Sequence, residues 1–193
     1  MIKAVIFDCF GVVITDVLQA MCNELAIEHP DKAQQISELV QESIRGHIPS
    51  EESNRKVAEL FGLSFEEYRS KIASGEVKDQ ALLNYIVTLR KNYKTAMLSN
   101  ISSGGLQRRF TPQELNTYFD ATVASSDIGF AKPEAQSYEI VADRLSVRLD
   151  ECVLTDDREE YCEGAVGVGM AAIQYKSFAQ FKPALERLLT KRM

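Results

Sequence analysis

The chain has 193 residues and carries 22 Lys and Arg against 28 Asp and Glu, a formal charge of −6. That balance, without any dense Lys/Arg run, argues against a nucleic-acid binder, whose affinity rests on neutralising phosphates, and equally against an anionic membrane surface. At 45% apolar residues the chain can build an ordinary buried core without disulfides, and two histidines, His29 and His47, are too few for a multi-histidine zinc site, so any metal must sit on oxygen.

In chain order, short continuously apolar runs occur at 3–7, 95–98, 121–124, 152–154 and 170–174. Each precedes small or acidic residues and then a stretch of helical periodicity, the pattern of buried parallel strands alternating with helices. The expected fold class is therefore α/β, a doubly wound parallel sheet. The interval 16–92 breaks the alternation with helical patterns alone, at 17–28, 31–45, 50–61, 64–73 and 79–91. It is too long for one crossover helix, so we expect a core made of 1–15 and 93–193 and a small helical cap inserted over 16–92. Leaving from the end of the first strand, the cap would sit over the carboxyl ends of the strands, where open α/β sheets bind ligands. Asp16 just precedes the first cap helix and reads as its N-cap at the hinge. Ser64 with Glu67 forms a capping box stapled by Leu63 and Tyr68; Thr111-Pro112-Gln113-Glu114 and Ser177 with Gln180 mark further helix starts.

Cys9, Cys22, Cys152 and Cys162 form no C-x-x-C pair and read as reduced thiols of a cytoplasmic protein. Asp8 interrupts the apolar N-terminus before a signal-peptide core could form, and no run approaches the roughly eighteen apolar residues that span a bilayer. Cys152 to Arg158 matches C-x₅-R, but Asp156 and Asp157 inside that loop would repel a phosphate. Gly164, Gly167 and Gly169 lack dinucleotide-binding spacing and read as helix packing and a helix stop.

Four strand ends carry the chemistry. Asp8 follows the first, Ser99-Asn100 the second, Lys132-Pro133 precedes the helix after the third, and Asp156-Asp157 closes the fourth. Each alone is ordinary loop chemistry. Together on one rim they offer a carboxylate nucleophile, a hydroxyl donor, a cation and an acidic pair, a set able to take a phosphoryl group and a hard divalent ion.

In this order, Val5-Ile6-Phe7-Asp8-Cys9-Phe10-Gly11-Val12-Val13, Met97-Leu98-Ser99-Asn100, Phe130-Ala131-Lys132-Pro133-Glu134 and Cys152-Val153-Leu154-Thr155-Asp156-Asp157-Arg158-Glu159-Glu160 resemble four motifs of one family. The chain is similar along nearly its whole length to the haloacid dehalogenase superfamily of aspartate-nucleophile hydrolases, in the subgroup whose helical cap lies between the first and second motifs. The resemblance implies a Rossmann-like core and a phosphatase-type hydrolase acting on a small phosphorylated metabolite. Asp8 matches the nucleophile that becomes an aspartyl-phosphate, Lys132 the cation steadying nucleophile and transferring group, and Ser99, with Asn100 in the same loop, the phosphoryl-binding hydroxyl. Asp8, the Phe10 carbonyl, Asp156 and Asp157 match the ligands of Mg²⁺.

Two positions depart from the pattern. Family phosphatases carry a second Asp, the acid and base, where this chain has Phe10. Such assistance is worth about 10²–10⁴ in rate, so its loss raises the barrier by roughly 3–5 kcal/mol and alkyl phosphates should turn over slowly. Tyr161 stands where relatives often place Asn or Asp to support the metal's surroundings. Two alternatives stay open: a non-catalytic phosphate- and metal-binding protein, and a dehalogenase-type hydrolase, whose family carries an aromatic residue at the Phe10 position.

Overall fold

The computed structural model describes residues 1–190. The chain runs β1 (Ala4–Phe7), α1 (Val17–Glu28), α2 (Pro30–Ile44), α3 (Ser50–Leu60), α4 (Phe65–Gly75), α5 (Gln80–Leu89), β2 (Lys94–Ser99), α6 (Pro112–Tyr118), β3 (Ala121–Ala124), α7 (Ser125–Ile128), α8 (Ala135–Leu145), β4 (Cys152–Asp156), α9 (Glu159–Gly167), β5 (Ala171–Gln174) and α10 (Phe178–Thr190). The five strands form one parallel sheet in the order β3-β2-β1-β4-β5. This is the α/β, Rossmann-like architecture expected from the apolar runs.

Helices cover both faces, which is why the strands read as unbroken apolar runs and not as alternating ones. Along β1, Val5 and Phe7 point to one face and pack with Leu82, Leu83 and Ile86 of α5 and Phe181 and Leu185 of α10. Ala4 and Ile6 point to the other, against Tyr138, Val141 and Leu145 of α8. Phe7 pairs with Met97 on β2 and with Thr155 on β4, so Asp8, Ser99 and Asp156 emerge on the same edge. The order reverses beside β1, and that reversal opens a crevice at the strand ends.

The helices α1–α4 share a separate, smaller core of Met21, Ile36, Val57, Ala58 and Tyr68. The Ser64 box closes at both ends, with Glu67 N–H donating to Ser64 Oγ and Ser64 N–H to Glu67 Oε2; the Thr111 box does the same with Glu114. At Ser177 only half forms, because Gln180 accepts from Lys176 N–H. The expected cap over 16–92 included α5, but α5 buries its apolar face against the sheet. Packing therefore divides the interval near a short antiparallel crossing, where Ile14 bridges Lys78 and Thr15 N–H donates to Val77 O at 3.0 Å. Periodicity shows that α5 has a buried face; only the fold shows what it is buried against. Among the described residues no helix is long and apolar enough to cross a membrane.

Candidate active site

The β1 end places Asp8 by its backbone, whose N–H donates to Thr155 O on β4 at 2.9 Å. Beyond it the chain doubles back: Val13 and Ile14 N–H both donate to Cys9 O, and Gly11 N–H to Ile14 O at 2.7 Å. Gly11 has φ +75°, and a Cβ there would lie 2.4 Å from Asp157 Oδ2. Glycine is required on both counts, since a side chain would displace the Asp157 carboxylate.

Lys132 is fully buried and bridges two carboxylates, with Nζ 2.8 Å from Asp8 Oδ1 and 2.5 Å from Asp156 Oδ2. Its backbone is clamped by Asn100, whose Oδ1 accepts from Lys132 N–H at 2.8 Å while Nδ2 donates to Lys132 O at 2.8 Å. Asn100 Nδ2 also donates to the Tyr161 hydroxyl at 3.2 Å, and the Tyr161 ring lies 5.1 Å from Lys132 Nζ. Tyr161 is itself held through its carbonyl by the Tyr138 hydroxyl at 2.8 Å. Tyr161, noted as a departure from the family pattern, thus lies against the lysine, and Asn100, expected among the substrate contacts, hydrogen-bonds the Lys132 backbone.

Asp156 is completely buried; besides Lys132 it accepts from Arg158 N–H at 3.0 Å. Both its oxygens are therefore engaged by cationic or backbone donors. Asp8, Asp156 and Asp157 bring carboxylate oxygens within 4.8 Å of one another. Burial raises the Asp8 carboxyl, and the Asp156 charge adds to this, against the pull of Lys132. Lys132 is held above the usual lysine range because its two carboxylates outweigh the desolvation that opposes its charge. Burial, then the charges of Asp156 and Asp16, push Asp157 up to about 6. One lysine does not offset three clustered carboxylates.

The donor set suits a hard cation. Asp8, Asp156 and Asp157 each offer a carboxylate oxygen within 4.8 Å of the others, and the Phe10 carbonyl accepts no hydrogen bond among the described residues. Ser99 is fully buried, and its hydroxyl is without a hydrogen-bond partner among the described residues. Such a group is costly unless something completes it.

Above the rim, between α1–α4 and the strand ends, lies a cleft of about 1390 Å³ whose floor includes Phe10, Asn100 and Tyr161. The Arg109 guanidinium sits 4.7 Å over the Phe10 ring and is ion-paired with Glu76 at the end of α4. In the sequence this contact is marked by nothing beyond the Arg108-Arg109 pair after β2. Asp16 caps α1 as expected, Oδ1 accepting from Gln19 N–H at 2.9 Å. The C-x₅-R match forms no phosphate loop. Cys152 is buried, with burial pushing its thiol up to about 12, and Arg158 stacks 4.7 Å over Tyr161. His29 and His47 are exposed.

The chain is 25% identical over 206 residues to D-ribitol-5-phosphate phosphatase of Bacteroides thetaiotaomicron, a match covering 98% of this chain and 99% of that one. It is 31% identical over 134 residues to bifunctional epoxide hydrolase 2 of Sus scrofa, covering 64% of this chain but only 24% of that much longer protein. In fold it resembles a crystal structure of a haloacid dehalogenase-family enzyme of Bacteroides thetaiotaomicron in complex with magnesium and inorganic phosphate. That likeness has a TM-score of 0.76 and 21% identity, over 95% of this chain and 99% of that one. The family model of haloacid dehalogenase-like hydrolases matches residues 2–169, and with the strand-end motifs in place the chain belongs to that family.

Proposed function

We propose that the protein is a Mg²⁺-dependent phosphatase that hydrolyses a small phosphorylated metabolite through an aspartyl-phosphate on Asp8. The observation that carries this is Lys132 Nζ held between Asp8 and Asp156, buried, with the Asp157 carboxylate beside them. The match to a sugar-alcohol phosphatase over nearly the full length of both chains supports it. Asp8, Asp157 and the Phe10 carbonyl would hold Mg²⁺, with Asp156 in support. When bound, Mg²⁺ supplies charge neutralisation at the phosphoryl oxygens. Lys132 keeps one Asp8 oxygen ionised and oriented, leaving the other to attack phosphorus. The Ser99 hydroxyl gains a partner when a phosphoryl oxygen enters. The α1–α4 helices act as the cap, excluding water and setting which leaving group fits. Four free thiols, three of them buried, suit the cytoplasm.

The test is turnover of p-nitrophenyl phosphate and acetyl phosphate with Mg²⁺ or with EDTA, in the parent and in Asp8→Asn. Activity should need Mg²⁺ and fall on the order of 10⁴–10⁶-fold in the variant. A second reading has one observation in its favour: Phe10, stacked under Arg109, cannot transfer a proton at the position where relatives keep an acid. A non-catalytic phosphate binder would give no turnover with either substrate but would still bind phosphate when Mg²⁺ is present. Halide displacement is disfavoured, because Asp157 beside the nucleophile would then lack a countercharge.

A further inference from the structure

On the phosphatase reading, on which this inference rests, a leaving alkoxide needs a proton donor from the cleft. Four carboxylates line it: Asp16, Glu51, Glu66 and Glu76. Three are committed to arginines, Glu51 to Arg55 at 2.6 Å, Glu66 to Arg69 at 3.7 Å and Glu76 to Arg109. Asp16 alone of the four has no ion pair among the described residues. Its Oδ1 accepts from Gln19 N–H, and Oδ2 accepts from no group described.

The position is fixed by the backbone. Asp16 follows Thr15, which is tied to Val77 by both its N–H and its hydroxyl, so the residue is anchored at the crossing between sheet and cap. Arg109, from the loop after β2, and Arg158, at the start of α9, line the same cleft as Asp16 and Phe10; both arginines favour the Asp16 charge, and that charge helps raise Asp157. It therefore shares one cleft with Phe10, Asn100 and Tyr161 at the strand ends and with residues of α1–α4. Burial raises its carboxyl above the usual Asp value, against the Gln19 hydrogen bond and the two arginines, which favours a transferable proton.

We propose that Asp16 is the acid and base of this enzyme, taking over from the hinge the task that Phe10 cannot perform. As an Asp8 oxygen bonds to phosphorus and the P–O ester bond breaks, the Asp16 carboxyl gives its proton to the leaving alkoxide, releasing an alcohol. The Asp16 carboxylate then takes a proton from the water that attacks the aspartyl-phosphate, and inorganic phosphate departs with Asp8 and Asp16 restored. Phe10 and its Arg109 stack become one wall of the cleft.

Asp16→Asn is the discriminating variant, because Asn caps a helix as well as Asp and keeps the Gln19 hydrogen bond while removing the transferable proton. Its kcat/KM is compared with the parent's on glycerol 3-phosphate, a poor leaving group, and on p-nitrophenyl phosphate, whose phenolate leaves without a proton. We expect a loss of about 10²–10⁴-fold on the alkyl ester, a loss at least tenfold smaller on the aryl ester, and a burst of p-nitrophenolate as the aspartyl-phosphate accumulates. Equal losses on both esters, or no loss on glycerol 3-phosphate while Asp8→Asn is inactive, would overturn the role of Asp16 and leave the phosphatase reading standing. Undiminished turnover by Asp8→Asn would overturn both.

Discussion

The rim of the sheet and the helical block above it handle charge in opposite ways. On the rim, Lys132 and Asp156 are completely buried and Asp8 nearly so, each fixed by more than one contact. Within the helical block α1–α4, Arg55 with Glu51 and Lys56 with Glu52 pair one turn apart on an exposed face of α3. Five buried apolar residues hold those four helices together, whereas α5, α8 and α10 lock into two larger clusters on the sheet. Exposed pairs contribute about 0.2–1 kcal/mol, whereas removing one partner of a buried pair costs about 3–5 kcal/mol. On the function proposed above, the chemistry falls on the region tied by buried ion pairs and the selection of substrate on the helices held by the smaller core.

The strongest test of this contrast is Lys132→Met. Removing the cation leaves two buried carboxylates facing each other, and we expect about 3–5 kcal/mol of destabilisation in denaturant unfolding together with loss of activity. A loss below about 1 kcal/mol would mean that the rim is as forgiving as a surface. Ile36→Ala addresses the other side. It opens the centre of the small helical core and should cost roughly 2–5 kcal/mol there. In hydrogen exchange, protection should fall across α1–α4 while β1, β2 and β4 keep theirs; uniform loss would show that the two regions unfold as one.

The smallest expected effect lies at the opposite end of the sheet. Asp120 accepts from Arg90 at 2.7 Å and from Thr95 N–H at 2.8 Å, with its side chain 26% exposed. Burial there works against its charge, but Arg90 and the Thr95 N–H outweigh it and hold the carboxyl below the usual Asp value of 3.8. A depressed folded value stabilises the native state above the unfolded pKa, and that contribution disappears as pH falls through the folded value. Asp120→Asn should therefore be less stable by up to about 1 kcal/mol at neutral pH, with the difference from the parent closing below about pH 3.8. A constant difference at all pH values would show that the aspartate acts through shape alone.

Much of this was legible in the chain. Parallel strands buried on both faces announce themselves as apolar runs, and the Ser64 and Thr111 boxes are local chemistry whose partners lie three residues away. Asp8, Ser99, Lys132 and Asp157 could be named because each follows or closes such a run and the four occur in a recognisable order. What could not be read is who holds whom. Asn100 clamps Lys132 from 32 positions away and reaches Tyr161 from 61. Arg109 covers Phe10 from the far side of the inserted helices, and α5 left the expected cap for the sheet.

By itself, then, the amino-acid sequence determined the fold class, the helix starts and the candidate nucleophile with its cation, because these depend on periodicity, short-range capping and residue type at strand ends. Only the tertiary structure decided that Asp156 belongs to Lys132, that Asn100 hydrogen-bonds its backbone and Tyr161 lies against it, and that Asp16 alone among the cleft carboxylates described is without an ion pair. The reason is physical: the charge a carboxylate carries, and the work open to it, follow from the distance of its neighbours and from its exposure to water. Those are set by chain segments that meet only when the sheet and the helical block have folded.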